Sequence, residues 1–161
     1  MADPQARFGQ DLRLLRDLLR QNDRNPGNDL SVVTLPATQL DGAKLKDLEM
    51  LKDLQNLQQA LLLRFLTRAG ELSLLGHPDY GSRLHTLIGG LNNDTNRNRA
   101  KLFVLEALGA EPRVKQVNSV DVTQDPGVRT QININVSLTA IDSDTPLNFV
   151  FPFSLEGGPL P

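Results

Sequence analysis

The stretch Thr130–Ala140, TQININVSLTA, alternates between apolar-facing and polar-facing positions without a slip. Thr130, Ile132, Ile134, Val136, Leu138 and Ala140 share one face; Gln131, Asn133, Asn135, Ser137 and Thr139 share the other. A period of two predicts a half-buried strand, and the polar second face predicts an antiparallel sheet covered on one side only. Asp125-Pro126-Gly127 upstream is a hairpin turn signal. Before it, Val120 and Val122 are in phase while Val117 is not, which points to a bulge between them. After the turn Asp142–Pro146, Leu147, Phe149, Phe151 and Phe153 line a third strand. Pro152 has no N–H for a ladder, so this strand belongs at an edge. Strands are thus expected over 113–123, 129–140 and 147–154, with a loose tail over 157–161.

Upstream of Arg113 the pattern changes. The 30 leucines crowd the part of the chain up to Leu108, and Val, Ile and Phe take over afterwards. Helices followed by a sheet give an α+β class, with helices packed on one face of a small antiparallel sheet of about three strands. Leu54, Leu57, Leu61 and Phe65 step at helical spacing, widened by Leu62 and Leu66 and interrupted by Gln58. They predict a helix over 53–68, with Asp53 as N-cap and Gly70 as its stop. Leu45, Leu48, Leu51 and Leu54 step by three, a spacing that drifts about 60° per step around a helix. The chain should therefore bend near Leu51. A short helix over 82–89 is capped by Ser82. Another over 95–108, capped by Asp94 or Thr95, has Leu102, Leu105 and Leu108 as its face. Phe8, Leu12, Leu15 and Leu19 have the spacing of an amphipathic helix, whereas Asn25-Pro26-Gly27-Asn28 is a turn signal compatible with two short strands. The arm is therefore extended or helical. The organisation expected is an arm and connecting segment over 1–50, one domain over 51–156, and the tail.

Composition narrows the function. The 161 residues include no Cys or Trp, one Tyr and two His, with 17 Lys+Arg against 19 Asp+Glu and a net charge of −2. Disulfides and zinc-thiolate sites are excluded. A near-neutral acidic chain argues against a nucleic-acid partner. No apolar run approaches the ~20 residues of a membrane span, and Met1–Arg13 lacks a secretory signal pattern, so cytoplasmic assembly is expected. No cofactor or metal site is expected: His77 and His85 lack ligand spacing, and Ser73, Ser82 and Ser119 lack a nucleophile-elbow context. Glu71, Asp79, Glu106 and Glu111 are the carboxylates available for glycoside hydrolysis, which needs a pair ~5–10 Å apart with one pKa raised.

Two segments look more constrained than packing requires. In Gly76–Ser82, GHPDYGS, Pro78 fixes φ, Asp79 can bond nearby amides, and Tyr80 can anchor a contact. In Glu111-Pro112-Arg113, Pro112 biases Glu111 away from the helix, and Arg113 offers a planar fork. That fork serves either an internal salt bridge fixing helix to sheet or a partner.

Those segments, in this order, resemble the contractile-tail baseplate wedge family, the GPW type, which carries a lysozyme-like label in older naming. The matching blocks are NLQQALLLRFLTRAGEL at Asn56–Leu72, HPDYGSRLHTLIG at His77–Gly89, EPR at Glu111–Arg113 and TPLNFVFPFSLE at Thr145–Glu156. FGQDLRLL at Phe8–Leu15 and GNDLSVVT at Gly27–Thr34 look like the family's leading segment, and the two ends look most like the extracellular-particle branch. Leu35–Met50 departs from the family in being longer and richer in leucine.

The resemblance implies a non-enzymatic subunit of a contractile injection particle, on which sheath assembly starts at the inner baseplate. Its partners would be the sheath protein and other wedge and hub subunits, in six copies or a multiple. Glu111, Pro112 and Arg113 carry over as a motif required for assembly. Pro78, Asp79 and Tyr80, and Phe151 and Phe153 on the edge strand, are the other expected partner contacts, the last two through strand addition to the sheet. The alternatives are a peptidoglycan-cleaving enzyme and a free adaptor.

Overall fold

In the computed structural model, the described residues are 8–23, 30, 32–34 and 46–156. The NPGN turn, most of Leu35–Met50 and the tail lie outside them. The element order is β1 (Gln10–Leu12), β2 (Val32–Thr34), β3 (Lys46–Leu48), β4 (Met50–Lys52), α1 (Asp53–Leu66), α2 (Asp94–Gly109), β5 (Val114–Gln124), β6 (Gln131–Ala140) and β7 (Pro146–Ser154). The class is α+β. The antiparallel sheet β5-β6-β7 carries the core, and two small ribbons, β1-β4 and β2-β3, precede it.

The alternation of β6 decides the architecture. Ile132, Ile134, Val136, Leu138 and Ala140 are buried, and the residues between them are half-exposed. Opposite them stand Val120 and Val122 on β5 and Leu147, Phe149, Phe151 and Phe153 on β7. This inward face shares one core with Leu57, Leu61 and Phe65 of α1 and Ala100, Phe103, Val104, Ala107 and Leu108 of α2. The Phe65 ring lies 5.6 Å from Phe151 and 6.2 Å from Phe149, which ties α1 to β7. The β5-β6 register shifts between Val114 and Gln116 and again between Val117 and Ser119, so the bulge that puts Val117 out of phase is present.

α2 is rotated from its expected face. Leu102 and Leu105 are exposed, and residues 100, 103, 104, 107 and 108 form the buried row. That row also has helical spacing, but two of its members are alanines, which let the helix approach β5 closely. Asn93, rather than Asp94 or Thr95, is the N-cap: its side chain accepts the Asn96 N–H at 2.9 Å. α1 ends at Leu66, and its cap position is Lys52. Asp53 is the first helical residue, at a left-handed φ of 52° where the chain turns from β4 into the helix. The expected helix over 82–89 is a short 3₁₀ turn, Leu84–Leu87.

The leading segment is extended, not helical. β1 pairs antiparallel with β4, Asp11 opposite Leu51. Three buried polar residues of α1 account for this. Asn56 Nδ2 donates to the Phe8 carbonyl at 2.8 Å. Gln59 Oε1 accepts the N–H groups of Leu14 and Leu15 at 2.8 and 3.1 Å, and its Nε2 donates to the Leu12 carbonyl at 2.8 Å. Gln58 Nε2 donates to the Leu18 carbonyl. A helix would have spent these main-chain groups internally; as a strap, the segment needs the amides of α1 to satisfy them. Phe8, Leu15 and Leu18 are buried beneath the strap, and Leu19 is 67% exposed.

Beyond Leu18 the strap lies along the outer edge of β7. Val150 N–H donates to the Leu19 carbonyl at 2.8 Å, Asp23 N–H to the Pro152 carbonyl at 3.3 Å, and Ser154 N–H to Asp23 Oδ1 at 3.1 Å. Arg20 reaches over the open face to Asn133 at 3.4 Å and Asp125 at 3.6 Å. β7 is an edge strand, as Pro152 implies, but its edge is occupied by the chain itself.

Candidate functional site

Arg64 joins the two segments singled out by sequence. It sits in the buried row of α1, seven residues after Leu57, and is 8% exposed. Its guanidinium carbon is 4.5 Å from the centroid of the Tyr80 ring, a cation–π distance. Its Nη2 is 3.7 Å from Glu111 Oε2. Glu111, 7% exposed, follows the end of α2, where Pro112 keeps it out of the helix. Its Oε1 accepts from Arg113 Nε at 2.6 Å and from the Arg113 main-chain N–H at 3.3 Å. Arg113 Nη1 donates to the Phe8 carbonyl at 3.2 Å, the oxygen that Asn56 also serves. The Arg113 fork therefore works internally, holding the α2-to-β5 connection and the start of the strap together.

Burial pushes the Glu111 carboxyl up, but the Arg113 hydrogen bonds and charge, with the charge of Arg64, outweigh it and hold the group below the usual carboxylate range. Burial raises the Tyr80 hydroxyl, with Arg64 opposing. A general acid in glycoside hydrolysis needs the reverse of the Glu111 shift. Of the other carboxylates weighed for that chemistry, Glu71 accepts the Arg68 N–H at 3.1 Å and Glu106 pairs with Arg83 at 3.6 Å. Among the described residues no group of three or more His, Asp or Glu is placed to hold a metal ion, and no helix is long and apolar enough to cross a membrane.

The loop 76–82 packs against the end of α2. Arg64, Gly76, His77, Pro78, Asp79, Tyr80 and Ala110 enclose an open hollow of about 270 Å³. Gly81, at φ 108°, lets the loop touch the segment that follows α1: a Cβ there would be 2.6 Å from the Arg68 carbonyl oxygen. Around it, Ala69 N–H donates to the Ser82 carbonyl and Ser82 N–H to the Thr67 carbonyl, both at 2.9 Å. Pro78, Asp79, Tyr80, Glu111, Pro112 and Arg113 thus lie in one region. Phe151 and Phe153 do not join it. Their side chains are 0% and 4% exposed in the core, and strand alternation turns their main-chain groups toward β6. They offer a partner no surface. Arg64 was missed from sequence, although an Arg at a position of the buried row, in LLLRFL, was a visible signal.

Residues 38–143 match the family described as contractile injection system sheath initiator, and the chain belongs to that family. Its role is that of a structural component of a contractile injection system. A solved structure from Geobacter sulfurreducens, described as a tail lysozyme, is similar at a TM-score of 0.54 and 25% identity, over 62% of this chain and 87% of that one. None of the curated proteins matches.

Proposed function

We propose that this chain is a baseplate wedge subunit of the GPW type, from an extracellular contractile particle, and that the first sheath ring is built on it by strand addition at β5. The observation that carries this reading is the contrast between the two edges of the sheet. β7 is covered by residues 19–23 of the same chain. No described residue pairs with the outer edge of β5. The hydrogen bonds of β7 fix the alternation across the sheet: Val150, Pro152 and Ser154 point outward, so Asn133, Asn135 and Ser137 of β6 point to β5. Val120, Val122 and Gln124 of β5 then direct their N–H and C=O groups away from the sheet. An extended sheath arm can take these groups as a fourth strand.

The region of Pro78, Asp79, Tyr80, Glu111, Pro112 and Arg113 serves the wedge and hub neighbours in this reading, with six copies or a multiple per particle. Assembly takes place in the cytoplasm and the chain becomes part of the phage-tail-like particle. Val122→Pro removes one outward N–H at an edge, where proline is tolerated. Particles carrying that variant are expected to have baseplates and no sheath in electron micrographs. Fully sheathed particles from a variant with unchanged thermal stability would refute addition at β5, and sheathed particles from a deletion of the gene would refute the wedge role.

A further inference from the structure

The hollow beside Tyr80 contains an incomplete set of hydrogen bonds. A guanidinium carries five N–H donors. Among the described residues, Arg64 Nε is buried with no hydrogen-bond partner. The nearest carboxylate oxygen, Glu111 Oε2, stands 3.7 Å from Nη2, outside hydrogen-bond reach. Glu111 directs its other oxygen to Arg113 at 2.6 Å. Among the described residues, two guanidinium groups therefore share one buried carboxylate, leaving one positive charge in surplus. A buried charge without full pairing is costly, and this one borders a hollow open to solvent. Asp79, on the rim, is exposed and forms no ion pair with Arg64 among the described residues.

We infer that the hollow is a receptor for a carboxylate: an Asp or Glu side chain from a neighbouring subunit enters beside Pro78 and accepts from the guanidinium of Arg64. Three features favour this ligand. The planar fork of Arg matches two carboxylate oxygens. The Tyr80 ring lies against one guanidinium face, so a carboxylate would have to approach in the guanidinium plane. The apolar walls from Pro78 and Ala110 suit a side chain whose stem is aliphatic. A neighbouring subunit as the source rests on the assembly role proposed above; the carboxylate chemistry does not.

The test uses the full-length isotopically labelled chain and the Arg Nε–H resonances. Titration with glutamate capped at both ends is expected to move the Arg64 Nε–H signal and the Tyr80 ring signals saturably, whereas capped glutamine moves neither. Equal responses to both probes, or none, would overturn the receptor. Arg64→Lys keeps the charge and loses the fork, so its capture of baseplate neighbours should fall roughly tenfold. Unchanged capture by a folded Arg64→Lys chain, beside a saturable response to glutamate in the native chain, would make the hollow a site for free carboxylates and overturn the subunit partner. Sheathed particles lacking this chain altogether would end the assembly role and leave the glutamate response standing, so the two failures are distinct.

Discussion

Gln59 and Leu15 are joined across 44 positions of sequence by a hydrogen bond of 3.1 Å, from the Leu15 N–H to a side-chain oxygen buried in the middle of α1. The same oxygen takes the Leu14 N–H, and the amide nitrogen returns a bond to Leu12. One side chain thus meets three main-chain groups that an extended segment cannot satisfy alone. The strap is held by polar chemistry inside an apolar environment, where such bonds are strong if complete and costly if broken.

Gln59→Leu keeps the volume and removes all three bonds. The buried Leu15 N–H and the part-buried Leu14 N–H and Leu12 carbonyl lose their partner, and the chain should lose about 1–3 kcal/mol of stability. Urea denaturation measures the total, and faster amide exchange at Leu14 and Leu15 locates it. A loss below about 0.5 kcal/mol would mean that water replaces the glutamine.

Glu111→Gln leaves Arg64 and Arg113 facing each other without their shared negative charge. Removing one partner from a buried ion pair costs about 3–5 kcal/mol, and the lower end applies here because Arg113 is partly exposed. The pH dependence follows from the downward shift. A carboxyl whose folded pKa lies below its ordinary 4.5 contributes stability that is complete above the unfolded value and is lost as pH falls through the folded one. The native chain should therefore lose stability in acid more steeply than Glu111→Gln. Parallel curves of urea midpoint against pH would assign the acid sensitivity to other groups.

Asp23→Ala removes the side chain that receives the Ser154 N–H. The outer edge of β7 should open locally, with amide exchange at Ser154 and Val150 accelerated about tenfold or more while the β5-β6 ladder stays protected. Unchanged exchange at Val150 would show that its bond to Leu19 holds the strap without help from Asp23.

Gly81→Ala places a Cβ against the Arg68 carbonyl at 2.6 Å and in a backbone region unfavourable to side chains. Folding should be weakened by roughly 2 kcal/mol or more, with Tyr80 displaced from Arg64. A thermal midpoint equal to that of the native chain would contradict this close approach.

The sheet was legible because burial on one side imposes a period of two, and nothing competes with it in Gln131–Ala140. The bulge in β5 was legible for the same reason, through Val117, and the edge position of β7 through the missing N–H of Pro152. The leading segment was not. Phe8, Leu12, Leu15 and Leu19 have helical spacing, but the partners that hold their main chain lie in α1, beyond any local window. α2 was misphased because leucine was counted and alanine was not; Ala100 and Ala107 are buried, and Leu102 is exposed. Glu111 and Arg113 were found as a motif, and Arg64 was overlooked, because a cation in a leucine run reads as an interruption until its distant carboxylate is known.

The strap along β7 gives the sheet a direction. A three-stranded sheet with two bare borders could be lengthened from either side, and copies could pair back to back into closed, useless dimers. With one border sealed from within, the described sheet can be extended past β5 only. In the role proposed above, the molecule is polar as a building block, with one end closed and one end left for a partner strand, so that everything laid upon it would point the same way.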